Sequence, residues 1–129
     1  MKNVLIIEDN EYIREALAVS LRTRLKDCNI LTAMNGQEGV NILGSVSLDL
    51  ILTDLQMPVL DGYGVIEYKN KNFPHVPLFV MTADQAPKAR EKLNALGISQ
   101  YIEKPFDFDQ VTGKILDTLA AVPNAINGF

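Results

Sequence analysis

The chain has 129 residues, enough for one domain that buries about two-thirds of its unfolded surface. Hydrophobic residues make up 47% and charged residues 22%, an ordinary globular balance, and the formal net charge of -4 argues against direct binding to nucleic acid or an anionic membrane. With Cys28 as its single cysteine, the chain cannot form an intrachain disulfide or a thiolate metal cluster, which fits a reducing, cytoplasmic setting.

The apolar run Val4-Leu5-Ile6-Ile7 is too short for a signal-peptide core, and no later run is long enough to span a bilayer. It predicts a first strand over Val4 to Glu8 that runs into Asp9. Asn10 is placed to cap a helix over Glu11 to Leu25, where Ile13, Leu17, Leu21 and Leu25 recur at helical spacing. A second strand, Asn29 to Ala33, ends in the unreactive Met34, a packing residue like Met81. Asn35-Gly36-Gln37-Glu38 then has capping-box spacing before Val40, Ile42 and Leu43.

The third strand, Leu48 to Thr53, closes on Asp54. Met57-Pro58 reads as loop shaping, and Asp61-Gly62 as a turn and cap opening a short helix through about Lys69. His75 and Cys28 are expected in surface loops, without the companions a metal site needs. A fourth strand, Pro77 to Thr82, precedes a helix over Pro87 to Leu96 that Gly97 can end. The fifth strand, Gln100 to Glu103, runs into Lys104-Pro105, and Asp107-Phe108-Asp109-Gln110 caps a last helix carrying Val111, Ile115 and Leu119. Residues 1–121 are read as one domain, and 122–129 as a tail or the start of a linker.

Strands alternating with helices predict an α/β fold: a flavodoxin-like, doubly wound, five-stranded parallel sheet of order 2-1-3-4-5 flanked by five helices. Strands 1 and 3 are neighbours where that order reverses, so Glu8, Asp9 and Asp54 converge beyond their carboxyl ends. Two carboxylates about 4 Å apart repel by roughly 4 kcal/mol at an effective dielectric near 20, so protons or a cation must relieve the cluster. An all-oxygen set without His or Cys favours a hard ion, and magnesium is commonly held by carboxylates, waters and a phosphate. Lys104 supplies the complementary charge for a phosphoryl oxygen. Alone, Asp54 would read equally well as a solvated residue at a strand end; together with Glu8, Asp9 and Lys104 it reads as chemistry.

Four segments in this order resemble the receiver domain of two-component response regulators, over Val4 to about Leu119: Val4 through Asn10, Asp54-Leu55-Gln56-Met57-Pro58 with Asp61-Gly62, Met81-Thr82-Ala83, and Tyr101 through Phe106. The resemblance implies that Asp54 is the phosphoacceptor, taking a phosphoryl group from a phosphohistidine on a sensor histidine kinase or a histidine phosphotransfer protein. It implies magnesium held by Glu8, Asp9, Asp54 and the backbone carbonyl of Gln56, with Glu8, where the family often has Asp, acting through water. It makes Asp54, Thr82 and Lys104 the catalytic groups and Thr82, Ala83 and Lys104 the phosphoryl-binding ones, and Thr82 with Tyr101 a switch that reshapes the surface of the fourth helix, fifth strand and fifth helix. A cis Lys104-Pro105 peptide, a role for Gln56 and Asp84 in phosphoryl lifetime, a downstream effector domain or protein, and a dimer formed on phosphorylation belong to the same set of implications. From sequence, Tyr101 fits equally well as a packed aromatic.

Two alternatives compete. A magnesium phosphohydrolase of the haloacid dehalogenase type would place a second Asp two residues after its nucleophile, where this chain has Gln56. A receiver used only as a scaffold is expected to lack the acceptor or the lysine, and both are present. The expectation is therefore a signalling switch without independent substrate turnover, whose kinase, pathway and output lie beyond this sequence.

Overall fold

The computed structural model of the protein describes residues 1–83 and 87–121. Asp84 and the segment 122–129 lie outside the described residues. Five strands, β1 (Lys2–Ile7), β2 (Cys28–Ala33), β3 (Leu50–Asp54), β4 (Leu78–Thr82) and β5 (Tyr101–Glu103), form one sheet in the order β2-β1-β3-β4-β5, every pairing parallel. The connecting helices are α1 (Glu11–Arg24), α2 (Gly36–Ser45), α3 (Gly62–Asn72), α4 (Pro87–Ala95) and α5 (Phe108–Ala121). The flavodoxin-like order expected from the alternation is the one observed.

Alternation along each strand builds two cores. Val4, Ile6, Leu50, Leu52, Met81 and Ile102 face one side, where Leu17 and Leu21 of α1 and Val111 and Ile115 of α5 cover them. Leu5, Ile7, Ile51 and Val80 face the other, against Leu43, Val65, Ile66 and Leu93. Each such side chain contributes about 1.5–3 kcal/mol on full burial, and both faces must be apolar because helices cover both. The same period-two alternation continues past the strand ends. Glu8 follows the parity of Val4 and Ile6, Asp54 that of Leu50 and Leu52, and Lys104 that of Ile102, so all three belong to the α1/α5 side.

The helix starts follow from capping. Asn10, Asn35 and Asp61 accept hydrogen bonds from the amides of Ile13, Glu38 and Gly64. Glu8 falls just beyond β1, and Leu48 and Asp49 precede β3, where Asp49 instead accepts the Asn3 amide at 2.8 Å. The third helix runs past Lys69 to Asn72, closed by the Phe73 amide on the Lys69 carbonyl. Cys28 is not in a surface loop: it opens β2 and is half-buried against the α1/α5 core. His75 is exposed in the turn before β4, as expected.

Val59, in the β3–α3 connection, has φ 71° and is 79% exposed. A β-branched residue in the left-handed region is strained, because its Cβ crowds the following carbonyl. Val59→Gly is expected to stabilise the protein by about 0.5–1 kcal/mol, the strain relieved exceeding the added freedom of the unfolded chain. An unchanged or lower urea midpoint would show that the loop does not carry that strain.

Candidate functional site

The carboxyl ends of β1, β3 and β5 bring Glu8, Asp54 and Lys104 together. The Lys104 ammonium donates to Glu8 Oε1 at 2.9 Å and to Asp54 Oδ2 at 3.1 Å. Glu8 is fully buried and Asp54 only 8% exposed, whereas Asp9 is exposed at the rim. The other oxygen of each buried carboxylate is held by backbone: Glu8 Oε2 accepts the Asn10 amide at 3.1 Å, and Asp54 Oδ1 accepts the Leu55 amide at 2.8 Å. The Lys104-Pro105 peptide is cis, as the resemblance implied.

Burial pushes the Glu8 carboxyl up to about 7, against the opposing hydrogen bonds from Lys104 and the Asn10 amide and with the Asp54 charge adding to the rise. For Lys104 burial acts downward, but hydrogen bonds to Glu8 and Asp54 outweigh it and the ammonium is raised. Lys104 is thus fixed as a cation. Because the folded Glu8 lies above its unfolded value of 4.5, its contribution to stability is complete below pH 4.5 and is lost as pH rises through about 7.

The oxygens of Glu8, Asp9 and Asp54 lie within 4.8 Å of one another. Three carboxylates without nitrogen or sulfur donors suit a hard divalent cation such as magnesium, for which the exposed Asp9 leaves an open side. Thr82 ends β4, one residue beyond Met81, which pairs with Asp54, and it is buried; Ala83 beside it and Gln56 on the β3–α3 connection are exposed. Thr82 and Tyr101 share the α3/α4 face of the sheet, because Tyr101 pairs with Val80. The Tyr101 hydroxyl turns away from the acidic cluster, to Asn94 at 2.6 Å and the Ile98 carbonyl at 2.9 Å.

Two contacts were not anticipated from the sequence. Arg14 Nη1 donates to the Glu8 carbonyl at 2.9 Å, tying α1 to the end of β1. Its signal was its place in the first turns of a helix, where side chains lean back toward the N-terminus. The second is Asn94 beside Tyr101, for which helical spacing from Arg90 was the only hint.

The sequence matches the response regulator receiver domain family over residues 4–116. Hybrid signal transduction histidine kinase D of Dictyostelium discoideum is 30% identical over 90% of this chain and 7% of its own length. Sensor histidine kinase TmoS of Ectopseudomonas mendocina is 31% identical over 91% of this chain and 12% of its own. The DNA-binding transcriptional regulator NtrC of Escherichia coli K12 is 30% identical over 87% and 24%. The chain therefore spans a minor part of each of these relatives. Among solved structures, the receiver domain of Francisella response regulator 1452 superposes with a TM-score of 0.86 at 20% identity, covering 95% of this chain and 100% of that one. The receiver domain of sensor histidine kinase PA1611 from Pseudomonas aeruginosa, solved with a magnesium ion coordinated in its active site cleft, gives 0.82 at 24% identity, covering 93% and 98%.

Proposed function

The chain belongs to the response regulator receiver domain family, and from that premise we propose that it is a phosphorylation-controlled switch in which Asp54 is the phosphoacceptor. The reading rests on one observation: a buried carboxylate at a strand end shares a lysine with a second buried carboxylate, beside a third acid at the surface. A carboxylate oxygen of Asp54 attacks the phosphorus of a phosphohistidine on a sensor histidine kinase or a histidine phosphotransfer protein. The P–N bond breaks as the new P–O bond forms, and its electron pair returns to the imidazole. The transfer calls mainly for positioning and neutralisation of the phosphoryl oxygens.

Lys104 already lies within hydrogen-bonding distance of Asp54 and carries one positive charge to the incoming group. The Thr82 hydroxyl and the Ala83 amide are the donors for the remaining oxygens. Glu8, Asp9, Asp54 and the Gln56 carbonyl are the groups that would hold magnesium, which supplies further positive charge to the phosphoryl oxygens when bound. The added phosphate, with close to two negative charges at neutral pH, draws Thr82 toward the site. Tyr101 turns into the space vacated on the shared face and alters the α4/β5/α5 surface read by an effector domain or protein, or by a second phosphorylated copy. Such a switch has no substrate turnover beyond its own phosphorylation and dephosphorylation, Gln56 and Asp84 tuning the latter. A cytoplasmic setting is proposed with it; among the described residues no helix is long and apolar enough to cross a membrane.

Magnesium must displace the Glu8 proton, so its affinity is expected to rise with pH. With Glu8 near 7, the dissociation constant at pH 6 should be about tenfold that at pH 8. Asp9→Ala should weaken binding more than Glu8→Ala, because Asp9 is exposed and among the described residues no ion pair competes for it, while Glu8 is engaged by Lys104. Calorimetric titration at the two pH values checks both; a pH-independent constant, or the reverse order of the variants, refutes the assignment.

A further inference from the structure

The Tyr101 hydroxyl has one proton but stands close to two acceptors, Asn94 Oδ1 at 2.6 Å and the Ile98 carbonyl at 2.9 Å. Exchanging the oxygen and nitrogen of the Asn94 amide satisfies both contacts: the amide donates to the phenol oxygen, and the phenol donates to Ile98. Asn94 then pins the ring through a chain of two hydrogen bonds. Arg90, one helical turn earlier on α4, lies over the same ring at 5.1 Å and pairs with Glu103 at 3.0 Å. The end of α4 thus closes over Tyr101 by two routes.

Register makes this consequential. Tyr101 pairs with Val80, and Thr82 lies two residues further along β4 on the same face, about 6.6 Å beyond Val80 at strand rise. A ring released from Asn94 can reach that space. We propose that Asn94 is a positioning residue that latches Tyr101 away from Thr82, so that α4 sets how readily the site adopts its phosphorylated arrangement; this rests on the switch reading given above.

Asn94 is exposed, so its variants are expected to fold. In NMR spectra the Tyr101 ring should show contacts to Ile98 and Leu93 in the natural protein. In Asn94→Ala those contacts should weaken and contacts to the Thr82 methyl should appear. Asn94→Asp, whose carboxylate can still accept from the Tyr101 hydroxyl, should keep the contacts of the natural protein. Phosphorylation by acetyl phosphate with magnesium should accelerate about three- to tenfold in Asn94→Ala, the range expected for one hydrogen bond. In a Tyr101→Phe background the same substitution should have no effect. A ring whose contacts are unmoved in Asn94→Ala, or an equal acceleration with and without the Tyr101 hydroxyl, overturns the latch. Failure of the natural protein to gain a phosphoryl group counts against Asp54 as acceptor, and the ring contacts still decide the latch.

Discussion

Asp54→Asn is expected to abolish phosphorylation: with magnesium and acetyl phosphate the natural protein gains one phosphoryl group by intact mass, and the variant gains none. The amide has nearly the same shape but no carboxylate oxygen to attack phosphorus. Misfolding does not explain such a loss, because the Asn side-chain oxygen can still accept from the Leu55 amide, the contact Asp54 makes at 2.8 Å. One carboxylate also leaves the neighbourhood of the fully buried Glu8, so the stability of Asp54→Asn should equal or exceed that of the natural chain. An adduct that persists in the variant would place the acceptor elsewhere and sink the proposed mechanism.

What the sequence reveals here follows from range. Strand order was legible because strands alternate with helices as in repeated βαβ units, and the meeting of Glu8, Asp54 and Lys104 because side-chain direction alternates along a strand, so that a residue at or just past its end inherits the parity of the core residues before it. Val4 and Ile6 thereby point to the position of Glu8, and Ile102 to that of Lys104. Caps at Asn10, Asn35 and Asp61 were legible because capping is local. Cys28 was misjudged because strand propensity at a first residue is weak, while pairing with Lys2 of β1 extends the ladder to it. The rotamer of Tyr101 was not legible, since its hydroxyl is placed by Asn94 and Ile98 on a packed neighbouring segment. The elevation of Glu8 likewise depends on complete burial that no local pattern records.

Lys104→Met is the second substitution with a large expected effect, and it separates two roles of one ammonium. Removing the donor closest to the incoming phosphoryl group should slow phosphorylation by acetyl phosphate about 10²–10³-fold, as for loss of one oxyanion donor. The same change leaves Glu8 and Asp54 without their shared partner. At pH 8, where Glu8 is otherwise ionised, stability should fall by about 1–3 kcal/mol, the cost of a buried acceptor left unsatisfied. The loss should shrink at pH 6: without the Lys104 hydrogen bond that opposes the rise, Glu8 moves above its present value of about 7 and takes up a proton. Magnesium at pH 8 can offset the exposed repulsion between the carboxylates and so recover stability, but it cannot replace a donor on the β5 side of the phosphoryl group. Recovered stability with persistently slow phosphorylation is therefore the expected pair of results, read by denaturant unfolding and by intact mass against time. Phosphorylation at the natural rate in Lys104→Met would show that Lys104 only balances the charge of the acidic pair.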